Sequence, residues 1–390
     1  MIQKGTYRVW GRVIILVIGI LLATYITQAQ SRTLVKNISQ SFKVEKKSTV
    51  ELTNKYGDVI LQTWDIDSVL VNVKITAYGK NDEILTKNME RVDIEFNSFG
   101  DVLTIETILD RNSSMFKEVI NSLGDYSKTL ISKNKINIDY ELTIPASTLL
   151  ILDNKYGDVY LESLSQDATI KLAHGDFQAE ELTGTSKLEL SFCKARIKKL
   201  NKAFVDLKGA ELNLREGGDI VLTSSSSTFD VRTVQSLKVD SRNDKIHLEN
   251  VTAVRGFASF SNILVDSMLD RIDMELNYGD LLVHSVNSNF NLVSINTKTA
   301  DVNISLDMGS YFSTTLIGRE DRMYLTSNFM GLEKNVSTEN EKIITLTGTV
   351  GMIKPKQSQV RITGESGDIT VYLEETGGIT NKKLSRSKTQ

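Results

Sequence analysis

One apolar spacing recurs through the middle of the chain and restricts what it can fold into. Val159, Leu161 and Leu164 stand at relative positions 0, +2 and +5, and this spacing returns at steps of 17 or 18 residues. The residues at position 0 are Val159, Phe177, Ala195, Leu212, Phe229, Ile246, Ile263 and Leu281. A period this short and steady predicts a solenoid, in which each repeat is one coil of the chain.

Each coil contains a second apolar pair before the triplet, at positions −7 and −5, as in Ile170 and Leu172 ahead of Phe177. Apolar residues two apart share one side of a strand, and the residues between them face water. A tight turn such as Tyr156-Gly-Asp158 separates the two strands. We expect glycine to supply a positive φ there and the aspartate to hydrogen-bond its own turn. The predicted fold is all-β, a single-stranded β-solenoid and by preference a right-handed β-helix.

Composition narrows the function classes. The chain of 390 residues has a formal charge of −3, so no global basic field predicts a nucleic-acid partner. Cys193 is the only cysteine, which excludes an internal disulfide. It stands where other coils have the turn glycine, so we expect it near the surface.

The N-terminus resembles an export signal. Lys4, Arg8 and Arg12 precede an apolar run over 13–23, and Thr27-x-Ala29 then offers a small-residue cleavage site. This predicts a signal peptide over 1–29 and export to the periplasm or the cell surface and outer membrane. The alternative is an uncleaved anchor, because 10–27 could just cross a bilayer. Membrane contact is expected only through this segment, if it is uncleaved.

Changes in the pattern predict the organisation of the remaining chain. A β-rich N-terminal section with a loop insertion at 109–135 precedes the regular repeats, which then give way to an irregular C-terminal part with one final coil. That coil carries Ser-Gly-Asp-Ile at 366–369. The predicted segments after the signal are 30–148, 149–306, 307–375 and a disordered tail at 376–390.

Aspartates recur in the turns, and stacked carboxylates can bind calcium. They are Asp58, Asp158, Asp176, Asp280 and Asp368. The dense glycine-rich nonapeptide of calcium β-rolls is absent from the sequence, so turn stabilisation is the favoured role.

Two charged clusters suggest a catalytic hypothesis. Parallel β-helices include enzymes that use carboxylates and basic side chains to cleave polysaccharides. The clusters are Asp240, Arg242, Asp244 and Lys245, and Asp266, Asp270, Arg271 and Asp273. Charges are expected on solvent-facing strand positions in any case. His174, His247 and His284 occupy different places in the repeat, so we expect no common column and no metal site. The sequence predicts no catalytic, cofactor-binding or metal-binding residue, and no cofactor.

Aromatic residues share the place before the turn. They are Tyr56, Tyr156, Phe192, Phe260 and Tyr278. Stacked rings there could bind sugars, but a column that stabilises the coils is the favoured interpretation.

The turn motifs resemble a known family. Tyr-Gly-Asp-Val at 56–59 and 156–159 and Ser-Gly-Asp-Ile at 366–369 are similar to repeats of the bacterial, Bacteroidetes-type putative-adhesin family. The resemblance covers about 45–306 and 359–373 and implies an exported β-solenoid of largely unassigned function, with no catalytic residues to transfer. Gly-Asp is replaced at 193–194, 210–211 and 244–245, so we do not expect a functional Gly-Asp ladder.

These observations together predict an exported, non-enzymatic binding or structural protein of the cell envelope. Its expected partner is a glycan or an envelope protein; the oligomeric state is not predicted. The alternatives are a periplasmic accessory or sensor protein of an envelope-stress system and, third, a polysaccharide-degrading β-helix enzyme.

Overall fold

The structure, a computed structural model, describes residues 32–110, 135–351 and 357–374. It is an all-β protein whose strands belong to one large sheet. Among the described residues, no helix has the length and apolar character needed to cross a membrane. The predicted signal peptide, nearly all of the predicted loop insertion and the predicted tail lie outside the described residues.

Strands account for nearly every regular element. In chain order they are β1 (Arg32–Lys43), β2 (Thr49–Lys55), β3 (Val59–Trp64), β4 (Ser68–Gly79), β5 (Val92–Phe99), β6 (Val102–Leu109), β7 (Ile136–Pro145), β8 (Leu149–Lys155), β9 (Val159–Leu161), β10 (Ala168–Ala173), β11 (Asp176–Ser191), β12 (Lys194–Lys208), β13 (Glu211–Ser225), β14 (Thr228–Arg242), β15 (Lys245–Val286), β16 (Leu292–Thr297), β17 (Asp301–Asp307), β18 (Phe312–Arg319), β19 (Met323–Leu325), β20 (Glu333–Val336), β21 (Ile343–Val350), β22 (Ser358–Gly364) and β23 (Ile369–Glu374). The helices are α1 (Asp82–Met89) and a short 3-10 turn at Glu320–Arg322.

The chain divides into two compact units, and the described part of the first comprises 32–38, 74–93, 108–110 and 135–138. This unit contains α1, which the sequence analysis did not predict. The Asn81 side chain accepts a hydrogen bond from the Ile84 backbone N–H at 2.9 Å and caps the helix. Buried Asn88 donates to the Tyr78 carbonyl at 2.9 Å, which ties the helix to the strand before it.

The second unit, described over 39–73, 94–107, 139–351 and 357–374, contains the repeats. Its strands pair in parallel along two ladders, one formed by the segments before each turn and the other by the segments after it. In the ladder before the turns, Ile170 pairs with Leu188, which pairs with Val205. In the ladder after the turns, Val159 pairs with Phe177, which pairs with Ala195. The pairing step of 17 or 18 residues confirms the repeat length predicted from the sequence.

The predicted core positions are buried between the two ladders. Each of the following is at most 4% exposed: Val159, Leu161, Phe177, Ile197, Ile246, Val265 and Val283. Residues between them alternate outward, as the burial pattern of β12 shows. The period-2 alternation of strand side chains explains why the spacing could be read from sequence.

The order of coils in the stack differs from their order in the chain. Strand β3 pairs directly with β9, so that Val59 lies beside Val159. At the other end, β22 pairs with both β16 and β18, and β23 pairs with both β17 and β19. The final motif-bearing coil is therefore inserted between two segments that precede it in sequence. Beyond β18, the antiparallel strands β21 and β20 end the parallel pairing.

The turn geometry corrects one expectation. At the turns of Tyr156 and His174 the positive φ, +63° and +58°, falls on the residue before the glycine, whereas at a later turn both Tyr278 and Gly279 have a positive φ, +62° and +98°. Gly157 is needed for another reason, since a Cβ there would lie 1.9 Å from the carbonyl oxygen of Gly57 in the adjacent coil. Glycine at this turn thus permits close packing of backbones rather than a left-handed conformation.

We expect the change Ile246→Asp to lower the free energy of unfolding by about 4 kcal/mol, because it places an unpaired carboxylate at a site that is 2% exposed. Urea unfolding measures the change. Lys245→Asp is the matched control, because the same carboxylate one residue earlier is exposed and should change stability by only about 0.5 kcal/mol. Equal stability of the two variants would contradict the register.

Candidate functional site

In the ladder after the turns, the outward side chains line a groove of about 720 Å³. They come from positions +1 and +3 of successive coils, on either side of the buried +2 residue. We call this the strand-face groove. Its +1 and +3 residues are Ile60, Gln62, Tyr160, Glu162, Gln178, Glu180, Arg196, Lys198, Asn213, Arg215, Asp230 and Arg232. The sequence analysis did not single out these residues, although their places beside the core triplet could have marked them as one surface.

Charge is unevenly distributed along the strand-face groove. The basic residues lie on its last three coils, while Glu162 and Glu180 lie on earlier coils. Lys198 forms an ion pair with Glu180, and Arg232 Nε lies 3.9 Å from a carboxylate oxygen of Glu249. The groove is therefore a polar surface with a basic half, suited to hydrogen bonds and to anionic groups.

The predicted aromatic column exists in two blocks. In the first, ring centroids are 5.5 Å apart for Tyr56 and Tyr156, 4.9 Å for Tyr156 and His174, and 5.3 Å for His174 and Phe192. In the second, Phe260 and Tyr278 stack at 4.6 Å. These separations are typical of favourable aromatic pairs, which supports a stabilising role. His174 joins the column although the sequence analysis had treated it only as a turn residue.

Between the two blocks, small or polar residues hold the aromatic place. They are Gly209, Ser226 and Asn243, and they line a second groove of about 710 Å³ beside Phe192. Phe192 is 64% exposed, so its ring is accessible at the end of the first block.

Cys193 is one of the residues that line this second groove, but it is only 7% exposed, so the expectation of a surface position is wrong. Burial raises the pKa of its thiol to about 12, with a further contribution from the negative charge of Asp176. The neutral thiol is therefore the stable form, and nucleophilic chemistry is disfavoured.

The turn aspartates act between coils rather than within their own turns. An Asp58 carboxylate oxygen accepts a hydrogen bond from the backbone N–H of Asp158 at 2.8 Å, and Asp158 accepts one from Asp176 at 2.8 Å. At the far end, Asp301 accepts one from the Asp368 N–H, also at 2.8 Å. Each carboxylate therefore caps a backbone donor of the adjacent coil, which corrects the predicted hydrogen bond to its own turn.

Across the described ranges, no group of three or more His, Cys, Asp or Glu residues is placed to hold a metal ion.

The first cluster considered for catalysis contains a structural aspartate. Asp244 is 3% exposed and takes the place of the turn glycine, with its side chain directed inward. Its carboxylate accepts hydrogen bonds from Ser224 Oγ, Ser241 Oγ and Ser227 N, each at 2.7 Å, and from Arg242 N at 3.0 Å. The hydrogen bonds hold this buried carboxylate within its own turn and the neighbouring one.

The second cluster is divided among separate contacts. Arg271 pairs with Asp273 at 3.0 Å, while Asp270 accepts a hydrogen bond from the side chain of Asn291. Asp266 instead contacts two histidines. The structure therefore does not use these four charges as one unit.

His247 and His284 form no common column, but both contact Asp266, a link that the sequence analysis did not predict. His247 Nε2 lies 2.9 Å from Asp266 Oδ2, and His284 Nδ1 lies 3.0 Å from Asp266 Oδ1. His247 Nδ1 also lies 3.2 Å from Asp230 Oδ2. The two histidines occupy different places, +1 and +3, but a diagonal contact between neighbouring coils joins them. We call these four residues the His247 cluster.

The electrostatics of the His247 cluster favour the imidazolium form. Burial lowers the pKa of His247, but hydrogen bonds and negative charge from Asp266 and Asp230 outweigh burial. The pKa is therefore raised above the ordinary value of 6.5. Asp230 also lines the strand-face groove, so the cluster adjoins one end of that surface.

Comparisons with known proteins leave the family open. No family model matches this chain, and no curated protein matches it. Solved structures similar to it include a putative cell adhesion protein from Clostridium sporogenes, 9% identical with a TM-score of 0.19, covering 87% of this chain and 100% of that one. A putative adhesin from Bacteroides fragilis is 10% identical with a TM-score of 0.23, covering 86% and 97%. A putative lipid binding protein from Parabacteroides distasonis is 11% identical with a TM-score of 0.26, covering 87% and 97%. TM-scores this low carry no conclusion on fold or function, and the resemblance to the putative-adhesin family stays a prediction.

We expect Asp158→Ala to lower the free energy of unfolding by about 1 kcal/mol, because the Asp176 N–H loses its carboxylate partner. The loss should be the same with a calcium chelator and with added calcium. Asp240→Ala is the control, since Asp240 is exposed and caps no turn. A calcium-dependent rise in the melting temperature that Asp158→Ala abolishes would support a calcium site instead.

Stability should depend on pH through His247. A raised folded pKa gives stabilisation that is complete below the unfolded pKa near 6.5 and is lost as the pH rises through the folded value. His247→Gln should therefore destabilise the protein more at about pH 5.5 than at about pH 8. Urea unfolding of both proteins at the two pH values measures this difference. Asp266→Asn should weaken the same pH dependence; an equal loss at both pH values in His247→Gln would contradict this account.

Proposed function

We propose that this chain is an exported, non-enzymatic binding protein of the cell envelope, of the putative-adhesin type. The observation that carries the proposal is the strand-face groove, a polar surface of about 720 Å³ built on paired strands. Its ligand is an extended glycan or protein segment, because the groove crosses several coils.

The paired strands suit this role mechanically. Two parallel ladders with buried aliphatic residues between them hold the outward side chains at a fixed spacing of about 4.8 Å from coil to coil. We propose that the ladders form a right-handed β-solenoid. A ligand then meets a surface whose polar groups are already in place, which reduces the ordering cost of binding.

Export is the second part of the proposal and rests on the N-terminal sequence. A basic segment, an apolar run and Thr27-x-Ala29 are the features of a secretory signal.

Protease shaving of intact cells of the source organism tests the location. Loss of the protein from the washed envelope fraction, with a periplasmic marker protein intact, is expected if the strand-face groove faces outside. Protection until the outer membrane is opened would instead favour the periplasmic accessory or sensor role. Protection after the outer membrane is opened, with the marker degraded, would contradict export.

A further inference from the structure

We propose that the strand-face groove binds anionic glycans, carboxylated or sulfated, through Arg196 and Arg215; this inference rests on the proposed binding function. The first observation is local charge. The segment 193–208 carries six basic residues and one acidic residue in a chain whose net charge is −3. The basic residues are Lys194, Arg196, Lys198, Lys199, Lys202 and Lys208.

Most of these charges are balanced by acidic residues on the adjacent coils. Lys199 stands in register with Glu181 on one side and Glu216 on the other. Lys202 stands beside Asp219, and Lys194 Nζ lies 3.6 Å from a Glu211 carboxylate oxygen. Pairing of opposite charges between coils is thus the rule around this segment, and it stabilises neighbouring strands.

Arg196 is an exception to that rule. Its register neighbours are Gln178 and Asn213, both uncharged. Its guanidinium is exposed on the strand-face groove, and within the described ranges it forms no ion pair. The guanidinium therefore has its hydrogen-bonding capacity available to a ligand.

Arg215 is a stronger exception. It follows Leu214, which pairs with Ile197 on one side and Val231 on the other, so Arg215 stands between Lys198 and Arg232. Like charges in register on neighbouring strands, about 4.8 Å apart, are destabilising. Lys198 and Arg232 are drawn to Glu180 and Glu249, whereas Arg215 has no ion-pair partner among the described residues. Arg215 therefore places an uncompensated positive charge on the surface of the strand-face groove, beside Arg196.

The surrounding groups define the ligand class. A guanidinium binds a carboxylate or sulfate with two parallel hydrogen bonds. The Gln178 amide offers a donor and an acceptor for hydroxyl groups. Asn213 Nδ2 donates to Glu211 at 3.0 Å, which leaves the Asn213 carbonyl oxygen as an acceptor, and the Tyr160 ring, 37% exposed, offers an apolar face for a sugar. Glu162 and Glu180 border the basic residues on one side and Asp230 lies on the last coil, so the basic surface is short, which disfavours a nucleic acid with its continuous phosphate charge. An anionic glycan has an acidic group for the guanidinium, hydroxyl groups for the side-chain amides and a sugar ring for the Tyr160 face.

The test compares length-matched dextran sulfate, carboxymethyl dextran and unmodified dextran in binding to the purified protein at physiological salt. The wild-type protein should bind the two anionic polymers and not the unmodified one. The double variant Arg196→Gln/Arg215→Gln should bind them at least about tenfold more weakly. Its melting temperature should not fall, because Arg215→Gln relieves repulsion from Lys198 and Arg232, and Arg196 forms no ion pair among the described residues.

The matched control is Lys238→Gln/Arg255→Gln. These two residues are an exposed basic pair in register on the ladder before the turns, outside the strand-face groove. It removes the same charge and should leave binding unchanged. Equal weakening in both double variants, or equal binding of a single-stranded oligonucleotide, would show attraction of any polyanion and overturn the glycan assignment. Equal binding of unmodified dextran would overturn the role of the arginines but leave the binding function standing. Failure to bind any polymer would overturn this inference, and cell shaving separately decides whether the envelope assignment stands.

Discussion

Parallel backbone pairing between segments 17 or 18 residues apart is the interaction on which the rest of this structure depends. Because the step is so regular, each side chain stands beside the side chain at the same place in the next coil. The apolar places then form a continuous buried core, in which Phe177 and Phe229 are at most 1% exposed. Hydrogen bonding sets the register, and burial of the aligned apolar residues makes it favourable.

The alignment of coils also places equivalent residues in columns, in which side chains of neighbouring coils hydrogen-bond or stack. A turn aspartate such as Asp58 caps the N–H of Asp158 in the neighbouring coil, and Tyr156 stacks on His174. The same alignment brings Arg215 between two other basic residues. The stabilising columns and the basic half of the strand-face groove therefore follow from the same alignment of coils, with different residue types at the aligned places.

Predictions from sequence succeeded where the determining pattern was local. The alternation around Ile246 predicted burial correctly, because adjacent strand residues point to opposite sides. Helix α1 was not predicted. Its Asn81 cap and acidic first turn are typical helix signals, but the helix is only eight residues long. Cys193 was misplaced because its position was inferred from the turn glycines, whereas in this coil the side chain is buried. The groove was missed because its residues are distant in sequence.

The sequence by itself determined the repeat length, the core positions and the places of the turns, because these depend on the spacing of apolar residues along one strand. Only the tertiary structure decided the order in which coils stack, including the insertion of β22 and β23 between β16 and β17 on one side and β18 and β19 on the other. It also decided that His247 and His284 share Asp266. The physical reason is that every coil offers the same backbone donors and acceptors at its edges, so the local pattern does not encode which coil becomes its neighbour.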